Sequence, residues 1–250
     1  MAVTYSDGAI VLDKPPANSY EIEFMRELGA AVDAADADPD ARVVVVRSAS
    51  EKFFSAGADI KTFLANDVEA NMEMIRLAHD SLGKMAASEK LFVAWIEGHA
   101  LGGGLEIALA CDLRYGLESG YRVGTPEVTL GLLPGNGGTQ RLPRLIGLGP
   151  ALDLLLTGRQ LEPAEAKTLG VLTGLFASRE EFDQLIGRMA AGPPLAVANI
   201  KRAAYLGTQL TLDDGLALER DLIEQLFRSA DSREGLTAFT EKRPPAFTGS

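Results

Sequence analysis

The stretch that most restricts what this chain can fold into is Leu91 to Cys111, LFVAWIEGHALGGGLEIALAC. It reads as a buried apolar strand, a turn of consecutive glycines and an apolar helix carrying one carboxylate, Glu106, in its first turns. An ionised carboxylate among Leu105, Ile107, Ala108 and Leu109 is expensive to desolvate. It calls for a partner or a chemical role.

A second block, Arg42 to Ser48, contains four consecutive valines and suits a strand covered on both faces in a partly parallel sheet. The loop expected after it is EKFFSAGADIK, Glu51 to Lys61. Ligands of open α/β sheets gather beyond the carboxyl ends of strands, and Ser55, Ala56, Gly57 and Ala58 are small enough for close approach to the backbone. The strand Leu91 to Glu97, followed by Gly98, Gly102, Gly103 and Gly104, repeats that logic. Backbone N–H groups near Ala58 and Gly103 are therefore expected at one edge of the sheet.

Ala9 to Asp13 reads as a strand ended by Lys14, Pro15 and Pro16. Asn18, with Glu21 three residues on, predicts a helix N-terminus ahead of Ile22, Met25, Leu28 and Val32. Asp67 to Ala87 reads as a helix whose Met72, Ile75, Leu82 and Met85 serve either packing or one wall of an acyl pocket. Short strands are expected at Leu113 to Tyr115 and Tyr121 to Gly124. Thr125 to Arg144, which holds Glu127, is expected to be mostly loop or tight turn.

From Gly149 the pattern turns helical. Pro163 opens a helix closed by Gly170, Val171 to Phe176 reads as a last strand, and Ser178 with Glu181 forms a capping box for a helix to Ala191. The break at Gly192, Pro193 and Pro194 divides the chain into a core of residues 1–192 and a C-terminal helical region of 193–250. Helices are expected there near Leu195 to Tyr205, Leu212 to Arg228 and Ser232 to Arg243. The stripe Leu216, Leu222, Ile223, Leu226 and Phe227 needs a partner, in its own chain or another subunit.

Charge narrows the function. With 35 acidic against 24 basic side chains in 250 residues, the net charge of −11 repels polyanions, which disfavours nucleic acid and anionic membranes. A small phosphorylated ligand remains compatible through local lysines and backbone N–H groups. No window reaches the roughly 18 apolar residues of a span, and Met1 to Asp13 lacks a leader pattern, so a cytoplasmic protein is expected. The single cysteine, Cys111, is expected to be a small buried hydrophobe. His79 and His99 stand at no metal-binding spacing, and no protein-built metal site is expected.

The glycines match no nucleotide motif. Gly135, Gly137 and Gln140 fail the dinucleotide fingerprint, as do Gly98, Ala100 and Gly103, and no phosphate loop or Gly-x-Ser-x-Gly elbow is present. What remains is a helix start with unpaired N–H groups beside the Ala56 to Asp59 loop. Alone it is as compatible with close strand-to-helix packing. Together the two loops have the form of an oxyanion hole with two main-chain donors, suited to a thioester carbonyl that becomes an enolate. Glu106 and Glu127 are two carboxyls able to divide acid and base roles. Asp59 is expected to cap a helix at Ile60, Asp112 to end the Glu106 helix, and His99 to have a core or supporting role.

At these residues the chain resembles the crotonase family, also called the enoyl-CoA hydratase/isomerase family, from about Ile10 to Phe247. The resemblance is carried by SAGADIK (Ser55 to Lys61), GHALGGGLEIALACD (Gly98 to Asp112) and TPEVTLGLLPGNGGTQRL (Thr125 to Leu142). LLLTGRQLEPAEAKTLGVL and AFTEKR add weaker support. It implies an α/β fold, a spiral of repeated ββα units with a C-terminal helical trimerisation region, and a homotrimer or dimer of trimers. It also implies a coenzyme A thioester as substrate, with no separate cofactor.

By motif position, Ala58 and Gly103 match the oxyanion-hole donors. Ala56, Ala58, Asp59, Ile60 and Lys61 match the coenzyme A contact loop, and Glu106 and Glu127 the two catalytic glutamates. Phe239 and Lys242 match C-terminal positions that reach coenzyme A, in this chain or a neighbouring subunit. Asn18, Ser19 and Tyr20 depart from the common Asn-Ala-Leu, and Thr125 stands where Gln is frequent. The activity implied is reversible hydration of a trans-2-enoyl-CoA. Double-bond isomerisation is the nearest alternative, and a binding or scaffold protein on the same fold is the other.

Overall fold

The computed structural model describes all residues from Met1 to Ser250. Nine strands run in chain order as β1 (Val3–Ser6), β2 (Ala9–Leu12), β3 (Val43–Ser48), β4 (Phe53–Ser55), β5 (Leu91–Ile96), β6 (His99–Leu101), β7 (Leu113–Leu117), β8 (Val123–Gly124) and β9 (Gly174–Phe176). The first helices are α1 (Ile22–Ala37), α2 (Ile60–Ala65), α3 (Val68–Ala87), α4 (Gly103–Ala110) and α5 (Gly138–Ile146). They are followed by α6 (Leu148–Thr157), α7 (Pro163–Leu169), α8 (Arg179–Ala190), α9 (Pro194–Gly207), α10 (Leu212–Phe227) and α11 (Ala230–Glu241).

Two sheets result. The larger has the order β1-β2-β3-β5-β7-β9, antiparallel only between β1 and β2, and the smaller is the parallel β4-β6-β8. Three passages of the chain repeat one plan: β3 then β4, β5 then β6, β7 then β8, each placing its first strand in the large sheet and its second in the small one. A helix or helical turn follows each pair. This is the expected α/β spiral of ββα units.

The valine block explains why the large sheet is buried on both sides. Val44 and Val46 join the main core with Phe92, Ala94, Leu82 and Met85. Val43 and Val45 face the other way with Val93 and Trp95, and Phe182 of α8 stacks on Trp95 at 4.4 Å.

Three expectations change. The chain after β3 and after β5 is not simply loop, because β4 and β6 interrupt it; strands of three residues are too short to show a period. Thr125 to Arg144 holds a 3₁₀ turn, Pro126–Leu130, and most of α5, where its glycines and prolines had suggested loop. Asn18 does not cap α1. Its backbone is left-handed at φ +50°, and its buried amide donates to Leu12 O (3.2 Å), Ser48 Oγ (2.8 Å) and Phe54 O (3.0 Å). Asn18 thus ties β2 to β3 and β4, while α1 starts after Glu21 without a side-chain cap.

The other anticipated caps form. Asp59 and Ser178 accept from Thr62 N and Glu181 N, and Gly170 ends α7 at φ +85°. The inner face of α3, with Met74, Leu82 and Met85, is core. Leu222 is the buried member of the α10 stripe, while Leu216, Ile223 and Phe227 stay exposed in the single chain. No helix is long and apolar enough to cross a membrane.

Lys201 fastens α9 to the core. Its buried ammonium lies 2.9 Å from Asp112 Oδ2 and donates to Met85 O (2.7 Å) and Lys90 O (2.8 Å). Removing one member of such a pair strands the other charge. Lys201→Met is therefore expected to lower the urea unfolding free energy by about 3–5 kcal/mol, and adding Asp112→Leu should restore much of it. Wild-type stability in the single variant would contradict this role.

Candidate active site

The small sheet gathers the site. Its three parallel strands end side by side, and each hands over one functional segment: β4 the Ala56 to Asp59 loop, β6 the Gly102 turn into α4, and β8 the turn that carries Glu127. The site therefore lies at strand carboxyl ends, as α/β sheets favour. The sheet concerned is the small one, of which the sequence pattern revealed only β8.

Gly57 and Gly102 make the junction. Both have left-handed backbones, at φ +88° and +55°. A Cβ on Gly57 would lie 2.9 Å from Leu101 O and 3.2 Å from Gly103 N, and one on Gly104 would overlap Ser55 O. The two loops are thus in backbone contact, which glycine permits at no steric cost. Ala58 follows Gly57, and its N–H makes no hydrogen bond within the chain. Gly103 opens α4, so its N–H belongs to the first turn that the helix leaves unused.

Glu106 is 1% exposed. Its Oε1 accepts from Asn136 N (2.8 Å) and Gly138 N (2.7 Å). Burial, with help from the nearby Glu127 charge, pushes its carboxyl up to about 7 in spite of these bonds and of Arg141. Glu127 is half-buried, and its Oε2 is buried without a partner. Burial raises this carboxyl too. A Cβ on Gly102 would come within 2.9 Å of Glu127 Oε1. The structure therefore brings together Ala58, Gly103, Glu106 and Glu127.

The remaining residues of the expected site divide into two groups. The Ala56 N–H is used by Ala17 O and the Asp59 N–H by Tyr20 O, both at 2.9 Å. The Asp59 carboxyl is held below its ordinary value, chiefly by the Thr62 N–H it accepts. Ile60 and Lys61 are exposed at the start of α2, beside this loop. Phe239 and Lys242 are both exposed, at the end of α11, which packs on α10. No cluster of three or more His, Cys, Asp or Glu stands ready for a metal.

Tyr20 and Asn136 had no assigned role. The buried Tyr20 hydroxyl accepts from Asn136 Nδ2 at 2.6 Å and stands where any Cβ on Gly103 would be. Burial, then Glu106 and Glu127, raise it well above the usual phenol value. The departure at Tyr20 was the visible signal. The Asn136 turn is braced from outside by α3, where His79 Nε2 lies 2.7 Å from Gly135 O and Ile75 packs against Gly135.

Comparison with known proteins gives the family. Residues 7–250 match the family model described as enoyl-CoA hydratase/isomerase. The chain is similar to the Mus musculus enoyl-CoA hydratase domain-containing protein 2, at 39% identity over 96% of this chain and 83% of that one. It is also similar to an enoyl-CoA isomerase/hydratase of Mycosarcoma maydis, at 41% over 85% and 78%. The crystal structure of an enoyl-CoA hydratase from Bacillus anthracis superposes with a TM-score of 0.95 at 34% identity, covering 100% of both chains. The chain belongs to the enoyl-CoA hydratase/isomerase, or crotonase, family.

The state of Glu106 has a measurable consequence. A carboxyl raised from 4.5 to about 7 on folding contributes stability in full below pH 4.5 and loses it as pH rises through about 7. Glu106→Gln cannot ionise. Its stability relative to wild type should therefore grow by about 3 kcal/mol between acid and alkaline pH, measured by urea unfolding. A difference independent of pH would show that Glu106 is not held in this way.

Proposed function

We propose that the protein catalyses the reversible addition of water to a trans-2-enoyl-CoA, giving a 3-hydroxyacyl-CoA. The observation that carries this reading is the pairing of two raised carboxyls, Glu106 buried and Glu127 half-buried, with the backbone junction of Ala58 and Gly103. The thioester oxygen sits between the two N–H groups, and negative charge develops on it as the enolate forms. Each donor aimed at that charge contributes about 3 to 4 kcal/mol to the transition state.

Water is held between Glu106 and Glu127. Glu106, ionised in the working form, orients and activates it for attack at C3. Glu106 takes the proton the water gives up as its oxygen bonds to C3, Glu127 gives the proton that C2 gains, and proton exchange within the pair and with solvent restores both. A carboxyl raised by burial suits this exchange, since proton transfer is most efficient when the pKa lies near the working pH. The two groups titrate as a coupled pair, so the division of labour is a property of the pair. Coenzyme A enters as part of the substrate and runs along Ala56 to Lys61. Phe239 and Lys242 reach it from a neighbouring subunit in a homotrimer or dimer of trimers, whose contacts cover the exposed face of α10.

A second reading is isomerisation of a 3-enoyl-CoA, in which one carboxylate shuttles a proton between carbons. The name of the Mycosarcoma maydis relative favours keeping it in view. Incubation of a trans-2-enoyl-CoA in heavy-oxygen water separates the two by product mass. Hydration places the label on C3, whereas an isomer without added oxygen as sole product overturns hydration. Glu106→Gln and Glu127→Gln are each expected to lower kcat by about 10²–10⁴-fold. Unchanged turnover in both would favour a binding protein on this fold.

A further inference from the structure

Tyr20 touches both loops of the junction and the Asn136 turn. Its backbone pairs with the first loop, as Tyr20 N donates to Gly57 O (3.0 Å) and Tyr20 O accepts from Asp59 N (2.9 Å). These two bonds bracket Ala58. Its ring reaches across to the second loop and fills the space beside Gly103. Its hydroxyl then meets Asn136 Nδ2 at 2.6 Å.

Asn136 passes that contact on to Glu106. It is 1% exposed and held at three points: its N–H on Glu106 Oε1, its carbonyl on Arg141 Nη1 (2.8 Å) and its amide nitrogen on Tyr20. The amide oxygen, Oδ1, is buried with no partner, so the Tyr20 hydroxyl is the only hydrogen-bond anchor of this side chain. Without it, the whole amide would be buried and unpaired, a state that drives local rearrangement. The rearrangement would move the peptide that holds Glu106.

We propose that Tyr20 is a positioning residue that acts through Asn136 to fix the Glu106 carboxyl relative to the Ala58 and Gly103 donors. The inference rests on the hydratase reading for its effect on turnover, but not for its effect on Glu106 itself. The groups facing Glu106 are Glu127 from the turn after β8, Arg141 from α5, and the Tyr20 hydroxyl ahead of α1. None of the three is removed when Asn136 is altered, which isolates the link.

The test uses the full-length protein and Tyr20→Phe, which keeps the ring and loses the hydroxyl. The expected result is a kcat lowered by about ten- to a hundredfold with KM within about twofold of wild type, because the donors remain while Glu106 is misplaced. Slackened N–H bonds to Glu106 favour its neutral form, so the acid limb of the pH profile should move to higher pH. Carboxyl-carbon NMR of labelled glutamates reads the same upward shift with no substrate present. Failure of the hydratase reading therefore leaves that measurement intact.

Asn136→Ala should reproduce the shift, and the double variant should add nothing to it; Asn136→Ala also carries the test if Tyr20→Phe fails to fold. A wild-type Glu106 titration and acid limb in Tyr20→Phe would overturn the proposal. So would a shift in Tyr20→Phe that Asn136→Ala does not share.

Discussion

The backbone contact between the Ala56 to Asp59 loop and the Gly102 to Gly104 turn is what the rest of the site depends on. Side chains on Gly57, Gly103 or Gly104 would collide with Leu101 O, Tyr20 and Ser55 respectively. Those glycines let two loops from different ββα units approach until their peptides touch. The small parallel sheet supplies the alignment, and Asn18, wedged between β2, β3 and β4, holds that sheet against the large one. The proposed main-chain donors would need this rigidity, because a peptide N–H cannot be re-aimed by changing a rotamer.

Electrostatics then decides what the junction can do. Two carboxyls stand on an apolar helix and a 3₁₀ turn, one buried and one half-buried, and neither has a cationic partner in direct contact. Glu106 is held by two peptide N–H groups, with Arg141 acting through the Asn136 carbonyl. Such bonds lower the penalty of the charged form without cancelling it. The outcome is a group that changes protonation near neutral pH. Elsewhere the chain treats buried charge differently: Asp112 and Lys201 meet directly, a structural pairing that joins α9 to the core.

Much of this was legible in the sequence, for identifiable reasons. Glu106 betrayed itself as a charge in an apolar run, and the glycines before it as a helix start without a nucleotide motif. The valines of β3 announced a strand buried on both faces, and the heavily apolar run of β5 a buried strand. Of the small sheet only β8 was anticipated, at Tyr121 to Gly124; β4 and β6, of three residues each, stayed hidden. Thr125 to Arg144 looked like loop because its glycines and Pro143 mask a helix that tertiary contacts stabilise, with Leu142 buried in the core. Asn18 was misread because a side chain that suits a helix cap equally suits a left-handed turn. Tyr20 and Asn136 lie 116 residues apart, and no periodicity connects them.

The claim on which the chemistry turns is that the Ala58 and Gly103 N–H groups receive the thioester oxygen. A crystal structure of the Glu127→Gln variant with an intact trans-2-enoyl-CoA measures this directly. The expected result is a thioester oxygen about 2.7–3.1 Å from both nitrogens, with C3 facing Glu106. A thioester oxygen turned to solvent, or held by a side chain instead of these two peptides, would contradict it.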